Sequence, residues 1–211
     1  MSATIIRSRS FISMMIFLTA AQRLATRDSR PVILAFGDSL TAGYRVQPGS
    51  AYPERLQRKL DERGYKVRVV NMGINGDTTS GGGACMKAAL EQKPSIVILE
   101  LGANDGLRGL SVTRMQTNLE NMILQFQKAG AKVILAGMTL PRNYGGAYVK
   151  SFEDVFRDLA KKYNVPLIPF FLEGVAGNPK YTQEDLIHPN ADGYVFVTDI
   201  VMKTLEPLLK K

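Results

Sequence analysis

Apolar residues are arranged along the chain in two alternating patterns. Continuous runs at Val32-Ile33-Leu34-Ala35-Phe36, Ile96-Val97-Ile98-Leu99 and Val133-Ile134-Leu135-Ala136 read as buried strands. Lys66 to Val70 reads as the second strand in chain order, and Val165 to Phe170 as a short fifth. Elsewhere apolar positions recur at the three- and four-residue spacing of one helix face. This holds for Tyr52, Leu56 and Leu60, and for Met115, Leu119, Met122, Ile123 and Phe126. It holds again for Phe152, Val155, Phe156 and Leu159, and for Val197, Ile200, Val201, Leu205 and Leu208. Unbroken β-branched strands separated by helices predict a parallel sheet covered on both faces. The expected fold is a three-layer α/β/α sandwich with a five-stranded parallel sheet, from about Arg30 to Leu209, with no internal linker or repeat.

In such sheets ligands bind beyond the carboxyl ends of the strands. The first strand runs directly into Gly37-Asp38-Ser39-Leu40, so Ser39 sits at that edge, before a helical segment. Negative charge is favoured near a helix start, although a serine there can equally be a plain cap. The second strand leads to Gly76, whose backbone N–H can approach a ligand closely, or which simply makes a turn. The third leads to Gly102-Ala103-Asn104-Asp105, where the Asn104 amide can donate to an oxyanion or bond its own turn. The protein has one histidine, His188, in Asp185-Leu186-Ile187-His188-Pro189. Asp185 and His188 are three apart, and Pro189 steers the histidine away from helical dihedrals. Each signal alone has an ordinary structural explanation. Their delivery to one sheet edge is hard to explain by turn chemistry.

Composition narrows the alternatives. The single cysteine, Cys85, excludes an intrachain disulfide and a cysteine metal cluster, and reads as a small buried residue. Asp38, Asp77 and Asp105 fall near the same edge, but with one histidine no metal site is expected. The net charge of +8 is scattered, without aromatic-basic alternation, so nucleic acid is not an expected partner. Arg7 and Arg9, the apolar stretch Phe11 to Leu18 and the small residues Thr19-Ala20-Ala21 have the layout of a signal peptide over residues 1–21. A periplasmic or secreted protein is therefore expected.

Gly37-Asp38-Ser39-Leu40, Gly76, Gly102-Ala103-Asn104-Asp105 and Asp185-x-x-His188-Pro189 resemble the four motif blocks of SGNH (GDSL-type) hydrolases. The loops at Leu101–Gly109, Leu140–Gly145 and Val165–Phe171 are similar to the bacterial thioesterase, lysophospholipase and arylesterase branch of that family. Ala103 stands where a glycine is common in that branch. Gly81-Gly82-Gly83 is also a departure, expected to loosen the start of its helix. No Gly-Lys-Ser/Thr follows, so it is no phosphate loop.

The resemblance implies a flavodoxin-like SGNH fold and a monomeric, cofactor-free serine hydrolase of esters and thioesters. Ser39 would be the nucleophile, His188 the acid/base and Asp185 its orienting partner. Ser39, Gly76 and Asn104 would form the oxyanion hole. Asp38, Leu40, Tyr144 and Ile187 are the candidate substrate contacts, with the Leu140–Tyr148 loop bordering the acyl pocket. Transient contact with membrane lipid fits such substrates. A carbohydrate O-acetyl esterase is the alternative within the family. A non-catalytic lipid-binding domain is disfavoured, because every catalytic position is occupied.

Overall fold

The computed structural model describes residues 28–209, and from Pro31 onward the chain forms one compact unit. The expected signal segment, residues 1–21, lies outside the described residues. Five parallel strands form one sheet: β1 (Val32–Gly37), β2 (Arg68–Gly73), β3 (Pro94–Glu100), β4 (Lys132–Ala136) and β5 (Leu167–Ile168), in the order β2-β1-β3-β4-β5. This is the flavodoxin-like order, whose switch point lies between β1 and β3. All of β1 is buried, and β3 nearly so, as expected for central strands covered on both faces.

The helices follow from capped amphipathic segments. Helix α1 (Ser39–Ala42) is a single turn, stopped by Gly43 at φ +82°. Helix α2 (Tyr52–Glu62) carries Pro53 in its first turn and buries Tyr52, Leu56 and Leu60. Helix α3 spans Thr79–Glu91, and α4 is a short turn at Ala103–Leu107. Helix α5 (Val112–Lys128) is capped by the Ser111 side chain and buries Met115, Leu119, Met122, Ile123 and Phe126. Helix α6 spans Gly146–Tyr163, and α7 spans Ala191–Leu205. Pro207 follows in a final 3₁₀ turn, so Leu208 lies beyond the helix rather than on it. Helix α2 packs on α7; α3 packs on α5 and α5 on α6. Phe36 of β1 meets Phe126 of α5 edge-on at 5.7 Å.

Two strands differ in length from expectation. β2 starts later and runs on to Gly73, because its ladder with β1 extends from Arg68 through to the Gly37–Gly73 pair. β5 is cut to Leu167–Ile168, since Pro166 and Pro169 on either side lack a donor for the ladder. The Gly81-Gly82-Gly83 run does not loosen its helix. α3 continues unbroken through it, with the Thr78 hydroxyl accepting from Gly81 N–H. A Cβ at Gly82 would come 2.3 Å from Leu101 Cδ1, so this glycine permits close packing of α3. Cys85, also on α3, is half-buried against the core.

These glycines predict opposite effects. Gly83 is exposed and faces open space, so Gly83→Ala should stabilise the protein by up to about 1 kcal/mol through helix propensity. Gly82→Ala gains the same propensity, but drives a methyl into the fully buried Leu101. Overpacking of that kind costs about 1–3 kcal/mol and should win. Denaturant unfolding should thus move the two midpoints in opposite directions.

Candidate active site

The switch point between β1 and β3 opens a crevice because the connections leave these neighbouring strands on opposite faces. At the end of β1 the chain turns sharply into α1. Asp38 caps the turn, its Oδ1 accepting from Leu40 N–H at 3.0 Å, and places Ser39 as the first helical residue. Gly37 permits this turn to close. A Cβ there would meet Thr41 Oγ1 at 2.2 Å and Glu100 Oε2 at 2.5 Å.

The Ser39 hydroxyl lies 2.9 Å from His188 Nε2, and His188 Nδ1 lies 2.7 Å from Asp185 Oδ2. The other carboxylate oxygen of Asp185 accepts the backbone N–H of Ile187 and of His188, each at 2.9 Å. Burial pushes the Asp185 carboxyl up, but these two N–H groups and the imidazole outweigh it, holding the group below the usual carboxylate range. The loop is a closed turn: His188 C=O accepts from Gln183 N–H, and Gln183 C=O from Leu186 N–H, with Leu186 at φ +59°. Gln183 Nε2 donates to Tyr44 C=O at 2.7 Å and to Pro189 C=O at 3.1 Å, tying the histidine loop to the serine turn. The Tyr44 ring lies 4.8 Å from the imidazole. Gln183 and Tyr44 are not among the site residues that the motifs identify.

Asn104, at the start of α4, directs its amide between two acceptors. Its Nδ2 donates to Asp38 Oδ2 at 3.0 Å and to Asp77 C=O at 2.9 Å. Gly76 sits at φ +74°, and the Arg108 guanidinium holds its carbonyl at 2.7 Å. No described residue accepts the backbone N–H of Ser39 or of Gly76. The three aspartates at this edge have separate duties. Asp38 serves Leu40 and Asn104, Asp77 Oδ1 accepts Thr78 N–H, and Asp105 accepts the N–H and hydroxyl of Thr79.

Ser39, Asn104, Asp185 and His188 open onto a cavity of about 590 Å³. Its walls are chiefly apolar: Leu40, Leu107, Met138, Leu140, Pro141, Phe170, Leu172 and Ile187. Asp38, Leu40 and Ile187 thus line it, as does the start of the Leu140–Tyr148 loop. Tyr144 does not: its hydroxyl donates to Leu107 C=O at 2.9 Å, which holds the ring outside the lining. Met138, Phe170 and Leu172 carry no local signal in the sequence, because they are brought together only by the ends of β4 and β5.

Residues 35–196 match the GDSL-like lipase/acylhydrolase family. Esterase TesA of Pseudomonas aeruginosa is 41% identical over 187 residues, covering 88% of this chain and 93% of its own. Thioesterase 1/protease 1/lysophospholipase L1 of Escherichia coli K12 is 41% identical over 178 residues, covering 84% of each. A crystal structure of the psychrotrophic esterase EstA from Pseudoalteromonas, inhibited by monoethylphosphonate, superposes with a TM-score of 0.80 at 35% identity, covering 84% of this chain and 97% of that one. The chain belongs to the GDSL-like lipase/acylhydrolase family, the SGNH hydrolases.

Proposed function

We propose that this hydrolase cleaves carboxylic esters and thioesters carrying an apolar acyl chain, with Ser39 as nucleophile, His188 as acid/base and Asp185 orienting the imidazole. The observation that carries this reading is the unbroken Ser39–His188–Asp185 hydrogen-bond series at the mouth of an apolar cavity. His188 Nε2 takes the Ser39 proton as the oxygen attacks the acyl carbonyl, and Asp185 stabilises the imidazolium that forms. The N–H groups of Ser39 and Gly76 and the Asn104 amide hold the oxyanion. His188 then protonates the leaving group, and water repeats the sequence on the acyl-enzyme. The names of the relatives, esterase and thioesterase/lysophospholipase, fit these substrates. Inhibition of EstA by a phosphonate fits a serine nucleophile. Lipid substrates also make brief contact with a membrane part of this reading. The apolar walls favour an acyl chain over an acetylated carbohydrate.

Ser39→Ala should abolish turnover of nitrophenyl esters and acyl thioesters while leaving the unfolding midpoint within error. Asn104→Ala should lower kcat by about 10²–10³ with KM little changed, because an oxyanion donor acts mainly in the transition state. An acyl-length panel separates the substrate readings. Rates should hold or rise as the chain lengthens to fill the cavity; a steep fall beyond acetyl would favour the carbohydrate esterase instead.

Activity should rise with pH. The imidazole must be neutral to accept the serine proton. Burial raises the Asp38 carboxyl to about 6, and its protonation would remove the charge that strengthens its bond from Asn104. Both requirements act in the same direction, so kcat/KM should climb between about pH 5 and 7. A flat profile across that range would remove His188 from the role of base.

Export is part of the same proposal, supported by the layout of residues 1–21. N-terminal sequencing of protein recovered from outside the cytoplasm should begin at Gln22; retention of Met1 there would overturn cleavage.

A further inference from the structure

Glu100 is the last residue of β3, fully buried, and has no part in the acyl-transfer steps. Parallel register sets it beside Gly37 of β1, and its carboxyl occupies the space that the missing Cβ leaves. Glu100 Oε2 accepts the Thr41 hydroxyl at 2.8 Å and, more loosely, Asp38 N–H at 3.3 Å. Glu100 Oε1 is buried and no donor faces it. Because Glu100 Oε2 reaches the Asp38 backbone N–H, the two buried carboxyls are close neighbours, and two like charges in one buried site are not both ionised.

The donors decide which one. Asp38 has Leu40 N–H on one oxygen and the Asn104 amide on the other, each at 3.0 Å. Charge-assisted bonds of this kind favour the ionised form. Glu100 has one good donor, one long one and an oxygen with none. The groups bearing on this pair from packed elements are Tyr52 and Glu54 of α2, Tyr194 of α7 and His188 of the catalytic loop. Apart from His188 none of them carries a positive charge that would stabilise a second negative one. Burial pushes both carboxyls up, Glu100 well above the ordinary range and Asp38 to about 6.

We propose that Glu100 is a positioning residue that holds the single proton of a buried carboxyl pair, leaving the charge on Asp38 and so fixing the orientation of the Asn104 amide. A charged Asp38 accepts only, and Asp77 C=O accepts only, so nitrogen and not oxygen of the Asn104 amide must turn toward them. With the proton on Asp38, its O–H would attract the amide oxygen instead. The proton on Glu100 therefore keeps the nitrogen of the Asn104 amide, and not its oxygen, on the Asp38 and Asp77 side, from which an N–H can be shared with the oxyanion. The proposal rests on Asn104 as oxyanion donor, but its proton placement can be read with no substrate present.

The test uses the whole protein and a nitrophenyl ester. Near pH 8 an infrared difference spectrum between wild type and Glu100→Gln should show the carbonyl band of a buried protonated acid, lost in the variant. Glu100→Gln keeps a neutral donor, so kcat, KM and the pH profile should stay within about threefold of wild type. Glu100→Leu removes the donor and should lower kcat at least about tenfold with KM within about twofold. Absence of the acid band would overturn the proposal, as would Glu100→Leu with wild-type kcat or Glu100→Gln as impaired as Glu100→Leu. Should Glu100→Leu fail to fold, the band and Glu100→Gln still decide. A wild type that turns over no ester would instead sink the functional reading while the band remained interpretable.

Discussion

The parallel pairing of β1 with β3 is the interaction on which the rest of this structure depends. Its register sets apolar core positions side by side along the ladder, Leu34 with Val97 and Phe36 with Leu99, and ends at Gly37 opposite Glu100. The two strands are the most deeply buried in the sheet, so a slip of one residue would reverse the face of every side chain and is strongly disfavoured. Because the register is fixed, so is the relation between the turns that follow. One carries Ser39 and the other Asn104, and the crevice between them is a consequence of strand order. No long-range adjustment is needed to bring Ser39 and the Asn104 amide together; the core does it.

The histidine arrives differently. Its loop has no strand beneath it and is held by its own polar bonds. Asp185 takes two backbone N–H groups as well as the ring, Gln183 ties the loop to Tyr44, and Asn190 caps α7 while its amide holds Lys180 and Thr182 carbonyls. Each such bond contributes only about 1 kcal/mol net. Leu186, in the left-handed region, subtracts about 1–2 kcal/mol. Several bonds outweigh that strain and leave the imidazole with one orientation. Rigidity here comes from many weak polar constraints, where the serine turn is set by packing.

This contrast explains what is legible in the sequence. Continuous apolar runs announce the strands and three-four spacing the helices, since burial alone dictates both. Ser39, Gly76, Asn104, Asp185 and His188 stand out because their chemistry lies in contiguous motifs. The ends of β2 and β5 differ from the local reading because edge pairing and flanking prolines decide them. The triple glycine reads as a weak helix start, yet Gly82 is set by Leu101, nineteen positions on in the chain and invisible to local reading. Tyr144 belongs to a loop whose start lines the cavity, but its own hydroxyl is bonded to Leu107 C=O and its side chain is not part of the lining. Glu100 does leave a signal: an acid directly after Ile96-Val97-Ile98-Leu99 must be buried with the strand or end it.

That acid changes how the resting site should be understood. Asn104 has two N–H bonds, and both already have acceptors. On the proposed mechanism an oxyanion would therefore share a hydrogen with Asp38 or Asp77 C=O rather than meet an idle donor. Ser39 and Gly76 differ, because no described protein acceptor takes their N–H groups. Preorganisation in the proposed oxyanion hole is thus of two kinds. Backbone donors are held open by the turns that carry them, and a side-chain donor is held in direction by acceptors it must partly give up. The second arrangement works only if those acceptors are firm enough to orient the amide and not so strong that they keep it. Asp38 already accepts from Leu40 N–H, so its charge is shared with another donor. Sharing that charge weakens its grip on Asn104 without abolishing it, which is the balance that the proposed role of Asn104 requires.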